Sequence, residues 1–109
     1  MEKYNYEEEK GLRDFTSMGE LVSIFSRLPI VWSWGAHKWT KVNDKILRFK
    51  VNGHHHKGLV YLMINGLDLF DIVLTTNDNT LVDRISDVYI DTLIDTIDKR
   101  IEWIEDYTN

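Results

Sequence analysis

Hydrophobic positions change period along the chain, and the changes divide it into a helix, a run of strands and a second helix. Leu21, Ile24, Phe25 and Leu28 recur at i, i+3, i+4 and i+7 ahead of Pro29, and Ser17 precedes Glu20 at capping-box spacing. A short amphipathic helix is expected there, with an apolar face that needs a sheet to cover. From Val31 to Val42 the pattern reads as a strand rich in tryptophan, kinked or bulged at Gly35. Lys45 to Val51 alternates polar and apolar residues up to Asn52-Gly53, Leu59 to Ile64 runs up to Asn65-Gly66, and Leu67 to Thr75 follows. Asn-Gly between such runs predicts type I′ hairpins, because both central residues of that turn need positive φ. Asn77-Asp78-Asn79 marks a further turn, and Thr80 to Ile85 reads as a short edge strand.

The last period is helical again. Ile90, Leu93, Ile94, Ile97, Ile101 and Ile104 fall on one arc, predicting a helix from Ser86 or Asp87 to about Asp106. The expected fold is therefore α+β: an antiparallel meander of four or five strands flanked by an N-terminal and a C-terminal α-helix. Residues 1–15 show no clean period and are expected to form an irregular arm, with residues 16–109 as a single domain.

Beside the apolar arc of the last helix stand six carboxylates, Asp87, Asp91, Asp95, Asp98, Glu102 and Glu105. At helical spacing they span an arc of about 80° over roughly 27 Å, with no Lys or Arg in the row. Like charges three or four positions apart each destabilise a helix by about 0.2–0.5 kcal/mol, so something offsets the repulsion. A basic partner, the chain's own basic segment and plain solvation each satisfy that requirement.

Charge is segregated along the chain. The total is −5 over 109 residues, but residues 37–57 carry six cations against Asp44, and residues 85–109 carry seven carboxylates against Lys99 and Arg100. No cysteine is present, which excludes disulfides and thiolate metal sites. No apolar run approaches a membrane span and the first ten residues lack a signal peptide's apolar core, so a cytoplasmic protein is expected.

The basic segment offers a second candidate surface, Lys45, Arg48, Lys50, His54, His56 and Lys57, where cations would contact phosphate. On a strand, His54 and His56 would share one face, the arrangement of a zinc or nickel pair, or one of them would serve a small nuclease as general base with Lys50, Lys57 or Tyr61 in support. A hydrated turn explains the same residues. No phosphate-binding glycine loop, nucleophile elbow or HExxH occurs, so neither catalytic residues nor a metal or cofactor is assigned.

The stretch Leu47-Arg48-Phe49-Lys50-Val51-Asn52-Gly53, with His56-Lys57-Gly58 and Asn65-Gly66-Leu67-Asp68-Leu69-Phe70-Asp71-Ile72, resembles small uncharacterised proteins carried by bacterial phages and mobile elements, over about residues 45–105. The resemblance implies no activity and supplies no site residues. It implies a context in which small acidic domains are inhibitors that block host nucleases or defence complexes by contact, anti-CRISPR proteins among them. The expectation from the sequence is a non-enzymatic protein that binds a basic, nucleic-acid-handling protein, such as a nuclease or RNA-guided effector, through its acidic C-terminal helix. The alternatives are a nucleic-acid binder or nuclease working from the basic hairpin, and a structural subunit or homodimer.

Overall fold

From His37 onward the chain forms a five-stranded antiparallel meander in the computed structural model, which describes residues 2–101. The strands β1 (His37–Asn43), β2 (Ile46–Asn52), β3 (Lys57–Ile64), β4 (Phe70–Thr75) and β5 (Leu81–Val88) lie in sequence order, leaving β1 and β5 at the edges. Helix α1 (Met18–Phe25) and the short helix α2 (Pro29–Ser33) precede the sheet, and α3 (Leu93–Ile101) follows it after a 3₁₀ turn at Ile90–Thr92. Glu102, Ile104, Glu105 and Asp106 lie outside the described residues.

The alternation within each strand assigns its two faces. Leu47, Phe49 and Val51 of β2, Val60 and Leu62 of β3, and Ile72 and Leu74 of β4 pack with Phe25, Val31 and Trp34 and with Leu93, Ile97 and Ile101 of α3. On the other face Ile46, Leu59, Tyr61, Met63 and Val73 form a second apolar cluster with Tyr4, Tyr6 and Leu12 of the arm. Residues 2–15 are irregular apart from one 3₁₀ turn at Tyr6–Glu8, but they are tied to the sheet by main-chain bridges from Lys3 to Thr80 and from Arg13 to Ile64.

Four local expectations are corrected. Val31 to Val42 is not one strand: Pro29 opens α2 at its first turn, where its missing N–H costs nothing, and Gly35, at φ 66°, turns the chain from that helix into β1. Val31 and Trp34 stand three positions apart, a helical spacing, and both side chains are fully buried. Neither Asn-Gly pair forms a two-residue I′ turn. Asn52 is the last residue of β2 and pairs with Lys57, leaving a four-residue loop closed by Gly53 N–H to the His56 carbonyl at 3.0 Å. After Ile64, which pairs with Phe70, the loop is five residues long, and Asn65 Oδ1 accepts from Leu67 N at 2.8 Å in an Asx-type turn, so β4 begins at Phe70 rather than Leu67.

The third correction is that Ser17 makes no side-chain cap, so the capping-box spacing is not used as one. The fourth bears most on function. Helix α3 begins at Leu93, not at Ser86 or Asp87, because β5 extends to Val88 to pair with Phe70. Cross-strand pairing outcompetes the helical period there, and Asp87 belongs to the sheet.

Trp34 joins the two helical segments. Its ring is fully buried, and its Nε1 donates to Asp98 Oδ1 of α3 at 2.9 Å. Trp34→Ala is expected to lower stability by about 3–5 kcal/mol through the cavity it leaves. Trp34→Phe, which mainly orphans the Asp98 carboxylate, is expected to cost about 1–3 kcal/mol, both read from urea unfolding midpoints.

Candidate functional site

Each carboxylate of the predicted row has its own surroundings. Asp98 is half-buried, and its Oδ1 accepts from Trp34 Nε1. Asp87 lies on β5 with φ 60°; its Oδ1 accepts from Asn65 Nδ2 at 2.7 Å, and its N–H donates to Asp71 Oδ1 at 3.1 Å. Asp91, in the 3₁₀ turn, and Asp95, in the first turn of α3, are exposed. Glu102 and Glu105 lie outside the described residues. Among the described residues, Asp91 and Asp95 are the exposed members of the helical row, with Asp87 standing just before them on the strand.

These three carboxylates flank two exposed apolar side chains, Tyr89 at 63% and Ile90 at 62% exposure. Among the described residues no cation forms an ion pair with Asp87, Asp91 or Asp95. Placement near the N-terminal end of α3 suits Asp91 and Asp95, because the helix dipole favours negative charge there. Asn65 links the same corner to the loop before β4, since its Nδ2 also donates to Asp71 Oδ1 at 2.9 Å.

Among the described residues, no cation of the basic hairpin forms an ion pair with this corner. Arg48 and Lys50 alternate with residues that face the helices, so they point to the opposite side of the sheet, where the Arg48 guanidinium lies 5.9 Å from the centre of the Tyr61 ring. The hairpin loop does reach α3, through a main-chain bond of 2.7 Å from His55 N–H to the Ile101 carbonyl. Lys45 is paired with Asp14 at 3.1 Å, and Lys57 is exposed. The six alternative residues therefore do not form one surface.

His54 and His56 are separated by burial. They sit in the loop rather than on a strand; His54 is exposed, whereas His56 is buried with Nε2 3.2 Å from the Leu59 carbonyl. Among the described residues no group of three or more His, Asp or Glu side chains is arranged to hold a metal ion. His56 instead fills the space beside Gly58, where an added Cβ would stand 2.2 Å from the Thr75 carbonyl. Only glycine fits that crossing of β3 and β4.

Sequence reasoning missed a network that crosses the arm-covered face. Arg84 of β5 holds Glu9 with two parallel bonds, at 2.7 and 3.0 Å, and reaches the buried Asp71 at 3.2 Å. Tyr4 donates to Glu9 at 2.8 Å, and its ring centre lies 4.8 Å from that of Tyr61. The available signal was an Asp in the middle of the apolar run Phe70-Asp71-Ile72-Val73-Leu74, since a carboxylate buried in a strand requires partners.

An apolar cleft of about 440 Å³ lies between α1 and the sheet, lined by Phe15, Met18, Val22, Trp39 and Leu47. The ion pair Lys41–Asp44, at 2.8 Å, neutralises its polar rim. No helix among the described residues is long and apolar enough to cross a membrane. In comparisons with known proteins, no family model, curated protein or solved structure matches this chain.

Two groups make stability depend on pH in separate windows. Burial pushes His56 below its ordinary value, against the opposing pull of the Leu59 and Thr75 carbonyls. Its contribution is complete above about 6.5, the unfolded value, and is lost as pH falls toward the folded one. Hydrogen bonds from Arg84 hold Glu9 below the usual carboxylate range, so its contribution is present above about 4.3 and lost as pH falls through the lower folded value. Thermal unfolding followed from pH 8 to pH 3 should show Tm falling in both windows. His56→Gln should flatten the upper one and Glu9→Gln the lower; an unchanged slope would assign that window to another group.

Proposed function

We propose that this protein is a non-enzymatic binding protein that contacts a basic, nucleic-acid-handling protein through the corner where β5 passes into α3. The observation that carries the reading is the set Asp87, Asp91 and Asp95, none of them ion-paired among the described residues, around exposed Tyr89 and Ile90. Large apolar side chains left in water mark contact surfaces, and tyrosine is among the residues most often found at their energetic centres. Carboxylates beside them select a cationic counterpart and speed its approach.

A protein that handles DNA or RNA presents such a counterpart, because its own channel is lined with Lys and Arg. Occupying that channel would inhibit it, in keeping with the resemblance to phage-borne proteins and with an anti-CRISPR type of role. Asp98 does not belong to this surface, since it holds Trp34. Tyr89 and Ile90 supply the apolar contact area of this corner, and the carboxylates beside them steer the partner.

The test is capture of host proteins by the purified chain at low and high salt, followed by activity assays on what is caught. Asp91→Lys with Asp95→Lys should abolish capture of a basic nuclease or effector while leaving thermal stability within about 1 kcal/mol, as expected of exposed positions. Tyr89→Ala should weaken it by about 1 kcal/mol or more, the threshold that separates energetic contacts from bystanders. Wild-type protein should inhibit the captured enzyme at equimolar ratio. Capture that survives the double charge reversal, or a captured enzyme that works normally in the complex, overturns the proposal.

A further inference from the structure

The face of the sheet covered by the arm is not covered completely. Toward the β1 edge it holds an open concavity of about 270 Å³, lined by Lys38, Thr40, Arg48, Lys50, Asn77 and Asn79, with the nearly buried Leu59 also in its wall. Three cations converge there, and among the described residues none of them forms an ion pair. That is unusual company for this chain, whose net charge is −5.

The surrounding structure orients the lining. Lys38 sits in the left-handed region at φ 56°, within the stretch where the β1–β2 register shifts between His37 and Thr40. Such a bulge re-aims a side chain, and the left-handed conformation is strained for a non-glycine residue. Thr40 Oγ1 donates to the Lys38 carbonyl at 3.0 Å, steadying it. Across the concavity, Tyr61 donates its hydroxyl to Asn79 Oδ1 at 2.6 Å, which leaves the Asn79 amide nitrogen to donate. The carboxylate between the two asparagines is turned elsewhere: Asp78 accepts from Lys3 Nζ at 3.1 Å and from the Thr76 and Thr80 hydroxyls, and these bonds hold it below the usual carboxylate range.

We propose that this concavity is a binding site for the phosphodiester backbone of a nucleic acid, held without reading its bases. Its chemistry is a set of cations and neutral donors, which suits phosphate oxygens. It lacks the exposed aromatic or aliphatic anchor that a protein ligand would need, because Leu59 is buried, Tyr61 lies beneath Arg48, and Trp39 is stacked on Phe49 at 4.4 Å. The same lack of a free ring leaves no platform on which bases could stack, so contact is confined to the backbone. Position at an edge strand leaves the concavity open for a strand to run through. The site is separate in residues and in charge from the acidic corner, and it stands or falls independently of the function proposed for that corner.

The experiment is fluorescence anisotropy with labelled 12-nucleotide poly-dT and poly-dA on the full chain at 50 and 200 mM salt. Three phosphate contacts on a single strand give a slope of about −2 in log affinity against log salt, so affinity should fall about 20-fold across that range, equally for both sequences. Lys38→Glu with Lys50→Glu should abolish binding. Lys41→Glu with Lys57→Glu changes net charge by the same amount outside the concavity and should retain most of it. Circular dichroism establishes that each variant is folded, and the exposed Lys38→Gln replaces the double variant if it is not, with an expected loss of about one contact from the slope. Absence of saturable binding at 50 mM salt overturns the proposal, as does equal loss in both charge-reversed pairs, which would reduce the effect to bulk charge. Adenosine monophosphate binding as tightly as the oligonucleotide would make the ligand a small phosphate instead, and polyglutamate binding as tightly would make it an acidic protein.

Discussion

Strands β3 and β4 carry buried side chains on both faces, and the helices on one side and the N-terminal arm on the other keep water from them. From Gly58 to Met63 and from Phe70 to Thr75 each residue is buried, so a sheet backed by helices on one side alone would leave Leu59, Tyr61, Met63 and Val73 in water. The helices α1, α2 and α3 supply one cover. The other comes from a chain segment with almost no regular structure, residues 2–15, which inserts Tyr4, Tyr6 and Leu12 and closes over them with Glu9 and Arg84. The same constraint explains why so short an arm is anchored at both ends by main-chain bridges to the sheet.

Because the arm reaches only part of that face, the fold leaves two chemically opposite surfaces. Where cover stops near β1, the polar residues of β2 and the β4–β5 loop form the basic concavity. Where β5 leaves the sheet for α3, carboxylates and two uncovered apolar side chains form the acidic corner. Alternation within β2 keeps the two charges apart, because Arg48 and Lys50 face away from the side on which α3 packs. A protein that contacts a nucleic-acid-handling enzyme through one surface and a phosphate backbone through the other would engage both components of a nucleoprotein complex.

The carboxylates show how one residue type is put to several uses by its surroundings. Asp98 supports a buried indole, Asp71 anchors a network beneath the arm, Asp78 pairs with Lys3, and Asp91 and Asp95 remain in solvent. Spacing in the sequence treats Asp87, Asp91, Asp95 and Asp98 as equivalent. Burial and partners make them different.

The α+β class, the meander and the approximate places of the terminal helices were legible in the sequence, because periods of two and 3.6 follow from backbone geometry and need no knowledge of what lies across the sheet. The details that decide function were not. Whether Asp87 continues a helix or ends a strand depends on its neighbour strand, through the pairing of Phe70 with Val88. Whether His56 is a ligand or core depends on Gly58 and the Thr75 carbonyl, and whether Lys38 and Asn79 share a site depends on a bulge in β1 and a turn some forty residues away. Local periodicity records which residues seek burial; only long-range pairing decides what they are buried against, and therefore which polar groups remain for a partner.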